Sequence, residues 1–287
     1  MPPTDASLAT LLVSCPDAKG IVAALAQVLY GHGANIVEAD QHTDDLAGQF
    51  FQRMVFDPSE LRTDRVAVET GIRDVAERFG MTYRLLYRTP RKKVALFASR
   101  YPHCLYDLLW RHRLGELDCD IRLVVANHPD LEGVAAQFGV PFHVVPMTDG
   151  KAQAERRALS LLAEHGIDLV VFARYMQIVS PEFVRPYESR VINIHHSFLP
   201  AFAGGRPYHQ AQERGVKLIG ATAHYVTAQL DDGPIIEQDV ARISHRDDVD
   251  DLVRKGRDLE KVVLARAVRL HLEDRILVYG NKTVVFD

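Results

Sequence analysis

Three short apolar runs constrain this chain more than anything else in it: Val94-Ala95-Leu96-Phe97-Ala98, Ile121 to Ala126, and Leu169-Val170-Val171-Phe172-Ala173. A strand with one face in water alternates apolar and polar residues. A nearly unbroken apolar run belongs to a strand covered on both faces, as in a parallel sheet under helices. Segments of helical length separate the runs, namely Leu105 to Arg113, Leu131 to Phe138, and Ala152 to His165, the last with Leu159, Leu162 and Ala163 on its inner face. Strand alternating with helix predicts a doubly wound, mostly parallel sheet. Arg190-Val191-Ile192 adds a strand that runs into Asn193-Ile194-His195-His196-Ser197-Phe198-Leu199-Pro200. Beyond it the pattern predicts a helix over Pro207 to Arg214, strands over Leu218 to Val226 and Pro234 to Ser244, and a long helix over Asp247 to Glu273. A closing hairpin, Ile276 to Tyr279 and Lys282 to Phe286, turns at Gly280-Asn281.

The chain ahead of these runs has a different rhythm. Ala9 to Ser14 reads as a strand, and Cys15-Pro16-Asp17 as a turn in which Asp17 caps the next helix. That helix carries Ile21, Val22, Leu25, Val28 and Leu29 at helical spacing and stops at Gly31 and Gly33. Strands follow at Asn35 to Thr43 and Gln49 to Phe56. Asp64 caps a second helix with Val68, Ile72, Val75 and Phe79 on one face, and Met81 to Tyr87 is a last strand. The order βαββαβ is ferredoxin-like. Residues 88–93 are polar, basic and contain Pro90, as a linker does. The expected organisation is therefore 1–87, a linker, and 94–287.

Composition narrows the function classes. The net charge of −4 argues against a broad nucleic-acid surface, while anionic small molecules remain open to local cationic clusters. The three cysteines are odd in number and lack CxxC spacing, so they are expected as reduced thiols in a cytoplasmic protein. Met1-Pro2-Pro3-Thr4-Asp5 has no secretory pattern, and no apolar run approaches the roughly 20 residues of a membrane helix.

Asn193 and His195 have the same parity and so point to one side at a strand's end, where open α/β sheets bind ligands. An amide donor and an imidazole aimed at one spot can hold an oxyanion and move a proton. Asp231, in Gln229-Leu230-Asp231-Asp232-Gly233-Pro234, can supply a carboxylate that orients the imidazole or a water. Such a trio suits acyl transfer or hydrolysis, although Asp before Gly is also a common turn residue. His195, His196, His209 and His224 fit no HxxxH or HExxH pattern, so no metal site is expected. The reading for Cys104 is a small buried hydrophobe.

Asn193 to Pro200, followed by Leu230-Asp231-Asp232-Gly233-Pro234, closely resembles the folate-dependent formyltransferase family. The resemblance implies catalytic roles for Asn193, His195 and Asp231. Phe172 to Ser180 is similar to the family's folate-pocket loop, which implies that Met176 and Val179 line the pterin site and that Thr227 to Asp231, including Leu230, closes it. Arg206-Pro207-Tyr208 is placed to reach the folate glutamate tail. The N-terminal module, with Cys15-Pro16-Asp17 and Lys19-Gly20 before its first helix, resembles an ACT domain. That implies an amino-acid effector, glycine or methionine, at Asp17, Gly20, Asn35 and Ile36, or else a purely structural oligomerisation module. Paired ACT sheets imply a homo-dimer or homo-tetramer. An ACT domain ahead of a formyltransferase-like domain is the arrangement of the formyltetrahydrofolate deformylase family. Ser99 to Leu105 and Gly220 to Val226 also match it.

A physical argument points the same way. A transferase for a phosphorylated amine needs glycines in its first strand-to-helix loop, so that phosphate can approach the backbone amides. Here that loop, Ser99 to Cys104, has no glycine and carries Arg100, Tyr101 and Pro102. The implied reaction is hydrolysis of 10-formyltetrahydrofolate to tetrahydrofolate and formate, supplying one-carbon and purine metabolism, with no cofactor. His103 is expected beside formate or water, or else as a helix-start cap. A formyltransferase acting on an unphosphorylated amine, and a binding regulator without catalysis, are the alternatives.

Overall fold

The computed structural model of the protein describes residues 8–148, 150–200 and 207–287, which cluster into two compact units. The first contains β1 (Ala9–Pro16), α1 (Ile21–Gly31), β2 (Asn35–Asp44), β3 (Gln49–Asp57), α2 (Arg65–Phe79) and β4 (Thr82–Tyr87). Its strands form an antiparallel sheet in the order β2-β3-β1-β4, as the βαββαβ pattern requires. Alternation along β1 sends Ala9, Leu11, Val13 and Cys15 to the helical side, against Ile21, Leu25 and Leu29 of α1 and Val68 and Ile72 of α2. Asp64 caps α2 by accepting the Ala67 amide at 2.8 Å. Asp17 does not cap α1. Gly20 holds the N-cap position at φ 93°, and the Asp17 amide donates to the Gly48 carbonyl.

β1 is apolar on its second face too. There Leu12 and Phe51 are buried against Leu277, Val284 and Phe286 from the end of the chain. The sequence expectation placed this closing hairpin with the second domain. Residues 274–279 and 284–287 instead cluster with the first unit, because an apolar sheet face must be covered and periodicity does not say by what. Arg53 lies on the same face with its side chain fully buried; Nε donates to the Asp274 carbonyl at 3.1 Å and Nη1 to Glu38 at 2.6 Å.

The second unit contains β5 (Lys93–Ala98), α3 (His103–Arg113), β6 (Asp120–Ala126), α4 (Glu132–Gln137), β7 (Phe142–Val144), α5 (Lys151–Glu164) and β8 (Leu169–Phe172). It continues with α6 (Pro181–Val184), β9 (Val191–His195), α7 (Pro207–Glu213), β10 (Leu218–Tyr225), β11 (Ile235–Arg242) and α8 (Val249–Leu272). The sheet runs β11-β10-β9-β8-β5-β6-β7. Its pairings from β9 through β7 are parallel, and β10 is antiparallel to both β9 and β11. Phe97, Phe172, Tyr175 and Phe183 form an aromatic cluster in its core. β7 and α6, of three and four residues, are too short to show a period and were not expected. After β5 the chain steps to β6 and β7 on one side, then returns to β8 and β9 on the other. The carboxyl ends of β5 and β8 are therefore a topological switch point, where such sheets hold ligands. No helix among the described residues is long and apolar enough to cross a membrane.

The covered second face of β1 has a measurable consequence. Phe286→Ala is expected to destabilise the first unit by about 3–5 kcal/mol, the usual cost of emptying a buried aromatic site. Tyr30→Ala, at a side chain 76% exposed, should change little. Urea denaturation of the two variants, with hydrogen exchange along β1, checks the difference.

Candidate active site

Strand register assembles the candidate trio. Asn193 of β9 is paired with Phe172 of β8 and His224 of β10, and His195 is paired with Thr222. Directly opposed residues share a face, so the Asn193 amide nitrogen lies 3.3 Å from His224 Nε2. His224 Nδ1 is 2.9 Å from the Tyr225 carbonyl. A carbonyl only accepts, so Nδ1 carries the proton, and Nε2 of the neutral ring accepts from Asn193. His195 Nδ1 is 3.2 Å from Asp231 Oδ2. Its other ring nitrogen, Nε2, is buried and has no hydrogen-bond partner among the described residues. With Nδ1–H given to the carboxylate, Nε2 is left with a lone pair to take a proton.

Asp231 reaches the two histidines because its loop folds back tightly after β10. Its backbone is left-handed, φ 53°, a conformation that Asp tolerates better than most residues. The Tyr225 amide donates to the Pro234 carbonyl at 2.9 Å, and a Cβ on Gly233 would stand 1.7 Å from the Tyr225 carbonyl oxygen. Burial pushes the Asp231 carboxyl up. The His195 and His224 rings beside its two oxygens outweigh it and hold the group well below the usual carboxylate range, so it is ionised at neutral pH. The turn after His195 is pinned as well. The Thr222 hydroxyl donates to the Ser197 carbonyl at 2.8 Å and accepts the Leu199 amide at 3.1 Å, while the Gln238 side chain donates to Thr222 Oγ1 at 2.9 Å.

Asn193, His195 and Asp231 open onto a cavity of about 360 Å³. Met176, Val179, Thr227 and Leu230 line it. Met176 and Leu230 are 50% and 61% exposed, so they offer an apolar rim to a flat ring. The Met176 loop is tied at both ends. The Met176 amide donates to Ser99 Oγ at 3.0 Å, and Ser180 bonds to the buried Glu155 of α5 through its amide and hydroxyl. His196 also lines the cavity. Burial, then the charges of Arg174 and His195, push its pKa down to about 4, so it is neutral beside the trio.

His103 lies elsewhere. It is the first residue of α3, and its Nε2 is 2.7 Å from Glu260 Oε2 of α8. It is not among the residues lining the cavity of the trio; it borders a second cavity beside Arg254, Arg257 and Lys261 of α8. The buried carboxylate draws it away. Glu260 is 1% exposed and also accepts the Tyr208 hydroxyl at 2.9 Å, with Arg174 Nε at 3.4 Å. Burial raises this carboxyl, and His103, Arg174 and Tyr208 together bring it below its ordinary value. Gly256 makes room for the network, since a Cβ there would meet the Tyr208 hydroxyl at 1.9 Å. Sequence reasoning passed over Glu260, although an acid on the apolar stripe of a helix, in phase with Leu264 and Ala267, is a visible signal.

His103, Cys104 and Glu260 present ligand atoms within 4.8 Å of one another. The donor set does not suit a cation. Arg174 and Tyr208 already take up the carboxylate, and burial pushes the Cys104 thiol well above its ordinary pKa. Arg206, expected to reach the folate tail, lies outside the described residues. The four expected effector residues do not converge within one chain. Pro16, beside Asp17 and Gly20, pairs with Gln49, and Asn35, beside Ile36, pairs with Asp57. The length of β3, roughly 25 Å, separates the two pairs.

Residues 92–268 match the formyl transferase family, and residues 9–65 match the ACT domain. The class is thus an ACT-linked protein of the formyl transferase fold. The chain is 56% identical to the formyltetrahydrofolate deformylase of Synechocystis sp., covering 97% of this chain and 98% of that one. It is 48% identical to the deformylase of Bacillus subtilis, covering 96% and 93%. The crystal structure of a formyltetrahydrofolate deformylase from Pseudomonas syringae superposes with a TM-score of 0.94 at 50% identity, covering 98% of this chain and 94% of that one. Glycinamide ribonucleotide transformylase 1 from Symbiobacterium toebii matches at 0.67 and 30%, over 71% of this chain and 98% of that one. The chain belongs to the formyltetrahydrofolate deformylase family.

The tight Asp231 loop is open to a direct test. Gly233→Ala is expected to displace the loop, because the atom that the new Cβ meets is backbone. Loss of activity by two orders of magnitude or more, about that of removing a catalytic group outright, with an unchanged melting transition for the first unit, is the expected result.

Proposed function

We propose that this chain hydrolyses 10-formyltetrahydrofolate to tetrahydrofolate and formate. The observation that carries the reading is the convergence of Asn193, His195 and Asp231 on one cavity whose apolar rim is the Met176 and Leu230 loops. Water attacks the formyl carbon while His195 Nε2 takes its proton, and ionised Asp231 stabilises the imidazolium through Nδ1–H. The second N–H of the Asn193 amide, beyond the one given to His224, donates to the oxyanion of the tetrahedral intermediate. The imidazolium returns its proton to N10, the C–N bond breaks with its electron pair on N10, and the formic acid so formed gives its remaining proton to His195 Nε2, and from there to solvent, before leaving as formate. The balance needs water and three proton transfers. His224 acts on the trio by holding the Asn193 amide. The glycine-free Ser99 to Cys104 loop supports water over a phosphorylated amine as acceptor. Cys15, Cys104 and Cys119 are buried free thiols, which suits a reducing cytoplasm.

Purified protein given 10-formyltetrahydrofolate and no amine is expected to release formate. Asn193→Ala should lower kcat by about 10²–10³, and Asp231→Asn should do comparable damage. Formate release that waits for an added amine would instead establish a transferase.

We further infer that the ACT unit takes glycine or methionine at a site completed by a second copy of the chain, since Asp17 and Asn35 stand a strand length apart. Activity titrated with each amino acid should respond in the wild type and not in Asn35→Ala. An unresponsive wild-type oligomer would leave the unit a purely structural one.

A further inference from the structure

Arg174 lines the catalytic cavity, and the hydrolytic mechanism leaves its charge unused. It follows β8 at the switch point of the sheet and lines the same cavity as Asn193, His195 and Asp231. Its backbone is left-handed, φ 63°, which is costly for a residue with a long side chain. Such strain persists where the surroundings over-determine a geometry. The guanidinium is buried, 9% exposed, and is held from two sides: Nε is 3.4 Å from Glu260 Oε2, and Cζ lies 5.3 Å from the centre of the Tyr101 ring. Glu260 is itself fastened by His103 and Tyr208, so the carboxylate that orients Arg174 is not free to follow a ligand. Yet Nε and Nη1 of Arg174 make no hydrogen bond among the described residues. With Nε facing the Glu260 carboxylate, the buried and unbonded Nη1 is the donor left for an anionic ligand.

The proposed reaction makes one such anion. The substrate's formyl group is neutral, and its two-oxygen carboxylate exists only after water has added and the C–N10 bond has broken. We propose that Arg174 receives this group, binding the carboxylate that develops in the second half of the reaction and then formate itself, with Glu260 as its positioning residue. One formate oxygen comes from the formyl group and the other from water; N10 keeps the electron pair of the broken bond and takes one proton of the water, and the other passes through His195 to solvent. A donor aimed at charge that appears only late favours the transition state over the ground state and so acts on kcat more than on KM. His196, beside Arg174, is neutral and adds no positive charge of its own.

The proposal rests on the hydrolytic reading, and its test separates the two. Formate titrated into the unmodified, ligand-free protein is expected to shift the guanidinium N–H resonance of Arg174, whatever the protein does with folate. In steady-state assays Arg174→Ala should weaken product inhibition by formate about tenfold to a hundredfold and lower kcat, while KM for 10-formyltetrahydrofolate changes less than threefold. Added guanidinium ion should restore part of kcat to Arg174→Ala. Arg174→Lys should stay impaired, because an ammonium lacks the planar fork. Glu260→Gln, which keeps the shape of the network, should weaken formate inhibition in the same direction with KM held. Wild-type formate inhibition in Arg174→Ala, or a rise in KM with kcat unchanged, would overturn the assignment and place Arg174 on the folate instead. A shifted Arg174 resonance in a protein that releases no formate from 10-formyltetrahydrofolate would overturn the hydrolytic reading while leaving the anion site standing.

Discussion

The pairing of β10 on β9 is the constraint on which the rest of the site depends. It is the point where a parallel sheet turns antiparallel, and its register sets Asn193 opposite His224 and His195 opposite Thr222. A slip of one residue would send every one of these side chains to the other face. The same strand ends in the loop whose close return at Gly233 delivers Asp231 to both histidines. Residues from two distant stretches of the chain thus meet because two strands are in register and one glycine allows a backbone to touch a backbone.

Behind this pair stands a second arrangement of a different kind. Glu260, Arg174, His103 and Tyr208 bring charge into the interior, where desolvation is expensive and breaking one partner costs about 3–5 kcal/mol. Apolar residues of similar volume would pack the space between α3, α7 and α8 at less risk. The network's value lies in fixing where a guanidinium stands at the edge of the cavity. Gly256 shows the structure adapting to it, since the middle of a helix gives up a side chain so that the Tyr208 hydroxyl can reach Glu260. The ACT unit shows the same economy in apolar form. Leu11 and Leu12 on one strand face opposite ways, and the chain supplies helices for one and its own C-terminal residues for the other.

Much of the fold was legible from local pattern. The apolar runs of β5, β6 and β8, the helical spacing in α1, α2 and α5, and the cap at Asp64 are written over a few residues each. Elements shorter than one period, β7 and α6, carried no readable signal. Within the site, Asn193, His195, Asp231 and the apolar wall of Met176, Val179, Thr227 and Leu230 came from motif and parity, and the structure brings them to one cavity. His103, expected beside formate or water or else as a helix-start cap, opens α3 and bonds to Glu260. Asp17 was expected to cap α1 and is replaced there by Gly20.

The sequence by itself determined the two fold classes, the strand that carries Asn193 and His195, and the absence of glycine where a phosphate would sit. These follow from hydrophobic period, side-chain parity and backbone freedom, all of which act over a few residues. Only the tertiary structure decided that the C-terminal residues cover β1, that His224 steadies Asn193, and that Glu260 holds Arg174 at the cavity. Each of those is a contact between residues distant in the chain. Its existence depends on which buried group finds a partner of matching charge or shape, and a one-dimensional pattern does not encode that choice.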